Sequence, residues 1–403
     1  MFNSMIRERL FYVALTISLL TCVNVAAKSP TSKHQYNKHN ASWLAGSWGV
    51  THRIDGGYKL DETVNKSDWV AGAKEIVENL PSAGHVITSL THPAHAYLFT
   101  VRDNNNLDVA AIHPDMVPAI ENEHIIFDVI EEYRMAGKKV ILYLNGAGPS
   151  MITDTSSANK IAIKKAWQNY YNSQWDGDEA AAWRNLVLGY VERFDGLVDG
   201  YWLDNMNKLP GKVSDFVAML RSVDPTVAIT VNKTKNYFKN ENGDLIYVDS
   251  DGINDENERD YRIIKYAATN EFEDFTSGHV TPLGRGAPPN SWAYEEYTIP
   301  DMVCAPWDNY KGKKDILKHV WFPIRARWSV AKTDLVFEIE QAYRFTQKLT
   351  NAGAGMTWST TQVNGYMSAD EMEIMLEIQR RINNDQDYIP YERPSGAYLR
   401  KEN

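Results

Sequence analysis

The stretch "VDGYWLDNM", Val198 to Met206, decides how this chain is read. Gly200 to Leu203 is short and apolar, as a strand covered on both faces must be, and Asp204 stands where it ends, followed by Asn205. A carboxylate buried without partners is costly. Asp204 therefore has hydrogen-bond donors around it, or this end of the strand faces a cleft.

Runs of the same kind recur outward from this one. Leu44 to Val50, His85 to Leu90, Lys139 to Leu144, Val227 to Val231, Phe272 to Thr276, Val320 to Ile324 and Met356 to Ser359 all read as buried strands. Between most of them lie amphipathic patterns: Trp69 to Leu80, Glu123 to Met135, Trp183 to Phe194, Val213 to Arg221, Val336 to Leu349 and Ala369 to Ile382. In Glu123 to Met135 the apolar residues Ile126, Val129, Ile130 and Tyr133 recur at helical spacing. Strands alternating with helices predict a parallel sheet. Eight such strands predict an α/β fold, the (β/α)8 TIM barrel, as a single catalytic domain over residues 41–403. A doubly wound open sheet is the alternative. After the fifth strand, Asn242-Gly243 separates two β-prone runs, Tyr237 to Lys239 and Leu245 to Tyr247, and predicts a hairpin.

The ends of the chain bear on compartment. Arg7 and Arg9 precede the apolar run Leu10 to Val23, which closes on Ala26 and Ala27. This is the pattern of a signal peptide over residues 1–27, and the run is too short to span a bilayer as a helix. A lipoprotein reading through Cys22 fits less well, because Thr21 precedes the cysteine. Residues 28–40 are polar and read as a flexible segment. The expected location is secreted or periplasmic, and the expected state is a monomer without a transmembrane span. Of the two cysteines, Cys22 lies in the leader, which would leave Cys304 alone and without an internal disulfide. The net charge of −10 argues against nucleic acid as a partner. The 12 Trp and 22 Tyr of an exported acidic chain incline the reading toward carbohydrate.

Barrel active sites gather at the C-terminal ends of the strands, which selects a set of rim candidates. These are His52 and Arg53, His92 and His95, Asn145, Asp204 and Asn205, Asn232 and Lys233, Glu271, Glu273 and His279, Arg325, Arg327 and Trp328, with Trp202 and Trp358 on the strands themselves. Two carboxylates on one rim suggest glycoside hydrolysis. Asp204 is the expected nucleophile. In "NEFEDFTSGH" strand alternation puts Glu271, Glu273 and Phe275 on one face, and Glu273, nearer the strand end, is preferred as acid/base over Glu271. Each of these groups also has a structural reading: an Asp capping a loop, a Glu in a salt bridge, histidines and tryptophans that fill space. Metal signals are weak. His92 and His95 are spaced for a helical turn, but Pro93 disfavours helix there. Asp249 to Glu258 has only part of a calcium-loop pattern.

"GYWLDNM" together with "FEDFTSGHVTPLGRGAPPNSWAYEEY" resembles the endo-acting sulfated fucan hydrolases of glycoside hydrolase family 168 and, more loosely, fucosidase-like barrels. The resemblance implies cleavage of internal α-1,3 links between fucose units with retention, an Asp nucleophile at Asp204, a Glu acid/base in the 271 to 273 region, and no cofactor. It implies a sulfated polysaccharide as partner. Sulfate esters are held by charge-assisted hydrogen bonds, for which Arg53, Arg102, Lys233, Lys235, Arg285, Arg325 and Arg327 are candidates. In the expected mechanism Asn145, Asn205 or Asn232 would hold Asp204 ionised, His52 or His279 would hold sugar hydroxyls, and Trp202 or Trp358 would pack on the sugar ring; His92 and Trp328 complete the substrate-binding candidates. Three other readings stay open: a hydrolase of another algal polysaccharide, a non-catalytic carbohydrate-binding protein, and a metal-dependent hydrolase built on His52, His92 and His95.

Overall fold

The structure is a computed structural model that describes residues 40–54, 66–91, 99–152, 157–233, 236–239, 245–248, 267–279, 294–312, 315–326, 328 and 333–392. Seven strands form one parallel sheet: β1 Trp48–Thr51, β2 His85–Thr91, β3 Lys139–Asn145, β4 Gly200–Asp204, β5 Ala228–Val231, β6 His319–Pro323 and β7 Gly355–Ser359. Their order is β6-β7-β1-β2-β3-β4-β5, so the chain winds in one direction and the sheet curls on itself. Helices cover the outside: α1 Lys66–Asn79, α2 Ile125–Met135, α3 Ala158–Gln174, α4 Glu179–Val191, α5 Val213–Val223, α6 Ile299–Cys304, α7 Ile339–Ala352 and α8 Ala369–Asn383. The seventeen residues of α3 escape a periodicity reading because only Ile163 and Trp167 of them are buried hydrophobics.

Alternation along each strand sorts the core into two layers. Val86, Val140, Leu142, Tyr201, Leu203, Val320, Phe322, Met356 and Trp358 point outward to the helices. Ile87, Ile141, Tyr143, Trp202, Ala228 and Trp321 point inward and pack on Phe275 and Leu317. Asp204, two residues beyond Trp202, shares its inner side.

The expected sixth strand is the main departure. Phe272 lies in a turn with Glu271, and the segment 274–279 runs between β5 and β6 without becoming a regular strand. Asp274 N donates to Ile229 O (2.7 Å), Thr276 N to Leu317 O (2.9 Å) and Trp321 N to Gly278 O (2.7 Å). Phe275 and His279 form isolated parallel bridges with Leu317 and Trp321. Gly278 explains the irregularity: its φ is +57°, and a Cβ there would lie 2.2 Å from the His319 carbonyl oxygen.

The hairpin after β5 is present, Asn236–Lys239 pairing antiparallel with Leu245–Val248; its Asn242-Gly243 turn lies outside the described residues. So do the leader 1–27, nearly all of 28–40, and the acidic stretch 249–258. Among the described residues no helix is long and apolar enough to cross a membrane. Cys304 closes α6, and the other cysteine, Cys22, lies outside the described residues.

Candidate active site

Asp204 and Asn145 are register partners at the C-terminal ends of β4 and β3. Four donors converge on the Asp204 carboxylate. Its Oδ1 accepts from the Asn205 backbone N–H (2.8 Å) and from Asn232 Nδ2 (2.7 Å), while its Oδ2 accepts from Tyr143 Oη (2.5 Å) and Asn205 Nδ2 (3.2 Å). Asn205 reaches both oxygens because its backbone is left-handed, φ 51°, a conformation that asparagine tolerates better than most residues. Asn145 Oδ1 accepts from Ala147 N (3.0 Å), which shapes the turn beside the carboxylate. Burial outweighs the bonds from Tyr143, Asn205 and Asn232 and the charge of Arg53, so the pKa of Asp204 lies above the ordinary aspartate value. Asp204 is half-buried. The result is a carboxylate with fixed orientation and one reachable side.

Beneath it lies an aromatic wall. Tyr143 stacks on Trp202 (5.5 Å, 13°), with the Arg53 guanidinium over its ring at 5.4 Å. Trp202 meets Trp321 edge-on (4.7 Å) and lies 5.7 Å from the His279 ring. His279 in turn stacks on Trp328 (4.5 Å, 10°). Trp202 Nε1 donates to Ser277 O (3.0 Å), which fixes the indole against the segment that carries His279. Trp202 and Trp321 are fully buried, so the wall braces the carboxylate from below, and Trp202 does not present the ring face to a sugar that was expected of it.

Of the residues expected at the rim, Asp204, Arg53, Asn145, Asn205, Asn232, Trp202, His279 and Trp328 come together. Glu273 does not. Its carboxylate accepts from Thr269 N (2.7 Å), Thr269 Oγ1 (3.1 Å) and Asn270 N (3.3 Å), closing the turn that precedes the segment. The next residue, Asp274, bonds β5 at Ile229, which pairs with Tyr201. Three residues of strand, roughly 10 Å, separate that level from Asp204. Burial pushes the Glu273 carboxyl up to about 8. Glu271 is exposed in the turn, so the shared face expected for Glu271 and Glu273 is absent. Lys233 is half-buried and its charge acts on Glu273.

Three other candidates point away from the rim. His52 is buried among the outer helices, its Nδ1 2.7 Å from Tyr133 Oη and its Nε2 2.9 Å from Gly365 O, and burial lowers its pKa to about 4. Trp358 packs on Phe322 and Phe337 outside the sheet, its Nε1 donating to Thr346 Oγ1 (3.1 Å). Arg325 is locked by Glu371 (2.5 Å), Asp370, Ser368 and the Thr333 carbonyl. Arg102 Nη1 donates to Pro118 O (3.2 Å). His92, His95, Lys235, Arg285 and Arg327 lie outside the described residues. Among the described residues no group of three or more His, Cys, Asp or Glu could hold a metal ion. Sequence reasoning missed Tyr143 and Trp321. Tyr143 was accessible, since it lies two residues before Asn145 and so on the same face.

A curled parallel sheet thus carries a donor-held carboxylate at the C-terminal end of a strand, with a buried aromatic wall beneath it. Residues 38–403 match the family model described as endo-alpha(1,4)-fucoidanase Mef1. Among solved structures, the endo-fucoidan hydrolase P5AFcnA from glycoside hydrolase family 107 is 65% identical, with 89% of this chain and 98% of that chain covered and a TM-score of 0.80. The endo-fucoidan hydrolases MfFcnA4 and MfFcnA9 of the same family share the fold at 16% and 15% identity, each with a TM-score of 0.61; the match covers 86% and 88% of this chain and 54% and 66% of theirs. No curated protein matches the chain. This protein belongs to glycoside hydrolase family 107, within the group that the Mef1 model describes. The assignment to family 168 is thereby corrected. It rested on two short segments, and residues 280–293 of the second lie outside the described residues.

Proposed function

We propose that the enzyme cuts fucoidan internally, at α(1,4) links between fucose units, with retention of configuration. The observation that carries this reading is the Asp204 carboxylate, held by four hydrogen bonds above a buried aromatic wall. The linkage follows the description of the matching family model; the α-1,3 expectation came only with the family now set aside. The segment 274–279 serves as the eighth stave of a closed barrel, since it bonds both β5 and β6. The leader exports the enzyme to the polymer, which is too large to enter a cell.

In the first step Asp204 attacks the anomeric carbon while an acid protonates the departing oxygen; in the second, the same group deprotonates water that releases the sugar. His279 is the acid/base in this proposal. It borders the same tryptophan that lies under Tyr143, and an imidazole exchanges protons near neutrality. Arg53 offers a cation to a sulfate next to Asp204.

Glu273 is the second reading, favoured by a carboxyl that stays protonated up to about pH 8. Reach decides against it, because a general acid must come within hydrogen-bond distance of the leaving oxygen. The test is reducing-end yield and chain length of fucoidan with wild type, Asp204→Asn, His279→Gln and Glu273→Gln, with the anomeric form of the new ends read by NMR. Loss in the first two variants and survival in the third is the expected result. Survival in His279→Gln with loss in Glu273→Gln returns the proton to Glu273, and inverted product ends remove the nucleophile role.

A further inference from the structure

We infer that Tyr143 is a positioning residue for Asp204, and that it selects Oδ2 as the oxygen that attacks. The inference rests on the nucleophile role proposed above for Asp204.

The four donors are unequal. Oδ1 is fixed by two bonds of 2.8 and 2.7 Å, one of them from a backbone N–H that cannot move without the turn itself. Oδ2 has one short bond, from Tyr143 at 2.5 Å, and one long one, from Asn205 Nδ2 at 3.2 Å. A carboxylate oxygen has two lone-pair directions in its plane, and the one facing Asn205 Nδ2 is the least committed. Surrendering that bond frees Oδ2 while the other three donors hold the group still.

Tyr143 is built to stay in place. The residue is 3% exposed, its ring is stacked on Trp202, and Arg53 lies over the same ring at 5.4 Å. Trp321 closes an edge at 6.3 Å. The hydroxyl has little freedom to leave Asp204, and burial holds it protonated well above the ordinary tyrosine range, so it remains a donor throughout. In the step, a lone pair of Oδ2 forms the bond to the anomeric carbon as the bond to the leaving oxygen breaks, and that oxygen takes its proton from the general acid. Asp204 loses its charge on forming the ester, and Tyr143 keeps the carboxyl plane from rotating.

Among the described residues the charged and titratable groups that face Asp204 are Arg53 after β1 and Tyr143 on β3; β5 is followed by the neutral Asn232, and His279 stands across Trp202. The Tyr143 bond lowers the pKa of Asp204. Removing it must move the acid limb of the pH profile upward.

The experiment compares wild type, Tyr143→Phe and Asp204→Asn on purified fucoidan, with kcat, KM and the pH dependence of kcat/KM, and thermal unfolding as a control on the fold. Tyr143→Phe keeps the stacked ring. The expected result is a fall in kcat on the order of 10- to 100-fold, KM within about twofold, and an acid limb displaced to higher pH. A purely structural tyrosine would change stability and leave that limb in place. If kcat and the limb match wild type while Asp204→Asn is dead, the inference is overturned and the nucleophile stands. If Asp204→Asn retains wild-type activity, both fall together.

Discussion

At the C-terminal end of β4 the carboxylate of Asp204 accepts four hydrogen bonds and stays half-buried. At the N-terminal ends of β2 and β6, His85 and His319 are wholly buried and share one hydroxyl, Thr357 Oγ1, at 2.8 Å each. The bonds there define the tautomers. His319 Nδ1 lies 3.3 Å from the Thr276 carbonyl, so that nitrogen carries the proton and Nε2 accepts from Thr357. The Thr357 oxygen then accepts from His85 Nε2–H, and His85 Nδ1 accepts from Ser47 Oγ at 2.8 Å. The chain is closed with both imidazoles neutral. Burial lowers both pKa values, that of His319 to about 3. One end of the inner face thus keeps a carboxylate bonded and half-exposed, and the other keeps ionisable groups discharged and sealed. On the nucleophile role proposed for Asp204, that difference separates the two ends more sharply than residue type does.

Substitutions at the two ends should fail in opposite ways. Asp204→Asn is expected to lower kcat by at least about 10³-fold, roughly 4 kcal/mol of transition-state stabilisation, with a melting temperature no lower than wild type. The variant keeps the shape and removes the cost of a buried charge. A large loss of stability in this variant would break the contrast, because it would make Asp204 a structural group like the histidines.

Thr357→Val is the mirror case. It strands the His85 N–H and the His319 acceptor, each left buried without a partner, and should cost about 2–4 kcal/mol of stability. Thr357→Ser should restore most of it. Activity of the folded protein, measured well below its melting temperature, should stay near wild type. Chemical denaturation read alongside initial rates checks both, and a dead but fully stable Thr357→Val would couple the two ends.

Much of this is legible in the residues alone. Asp204 stands out because a carboxylate at the end of an apolar strand requires either donors or a cleft, and seven of the eight strands lie where hydrophobic runs place them. The errors have physical sources. The strand-end rule gives a level in the sheet but not a face. Thr51 and Thr357 are inward, so their neighbours His52 and Trp358 point to the helices. Glu273 departs in level: the segment joins β5 only at Asp274, so Glu273 stays in the turn before it, bonded to Thr269 and Asn270. Arg325 reads as a sulfate ligand until Glu371, distant in sequence, arrives to neutralise it.

The smallest expected effect sharpens the comparison along the pH axis. His85 and His319 have folded pKa values below the ordinary 6.5, so the native state binds fewer protons than the unfolded chain on the acid side. Their contribution to stability is present above pH 6.5 and is lost as pH falls below it. Glu273 works in the other direction. Its carboxyl is raised from 4.5 to about 8, so the native state holds a proton that the unfolded chain releases, and its contribution is present below pH 4.5 and lost as pH rises through about 8. Stability of the wild type should therefore sag on both sides of a maximum. Glu273→Gln holds a neutral group in the same turn and should flatten the alkaline sag and steepen the acid side between pH 4.5 and 6.5, where Glu273 opposes the histidines. Melting temperatures of the two proteins from pH 4 to 9 test this, and an identical alkaline decline in both would show that Glu273 is ionised in the fold, which would leave it no proton to donate at neutral pH.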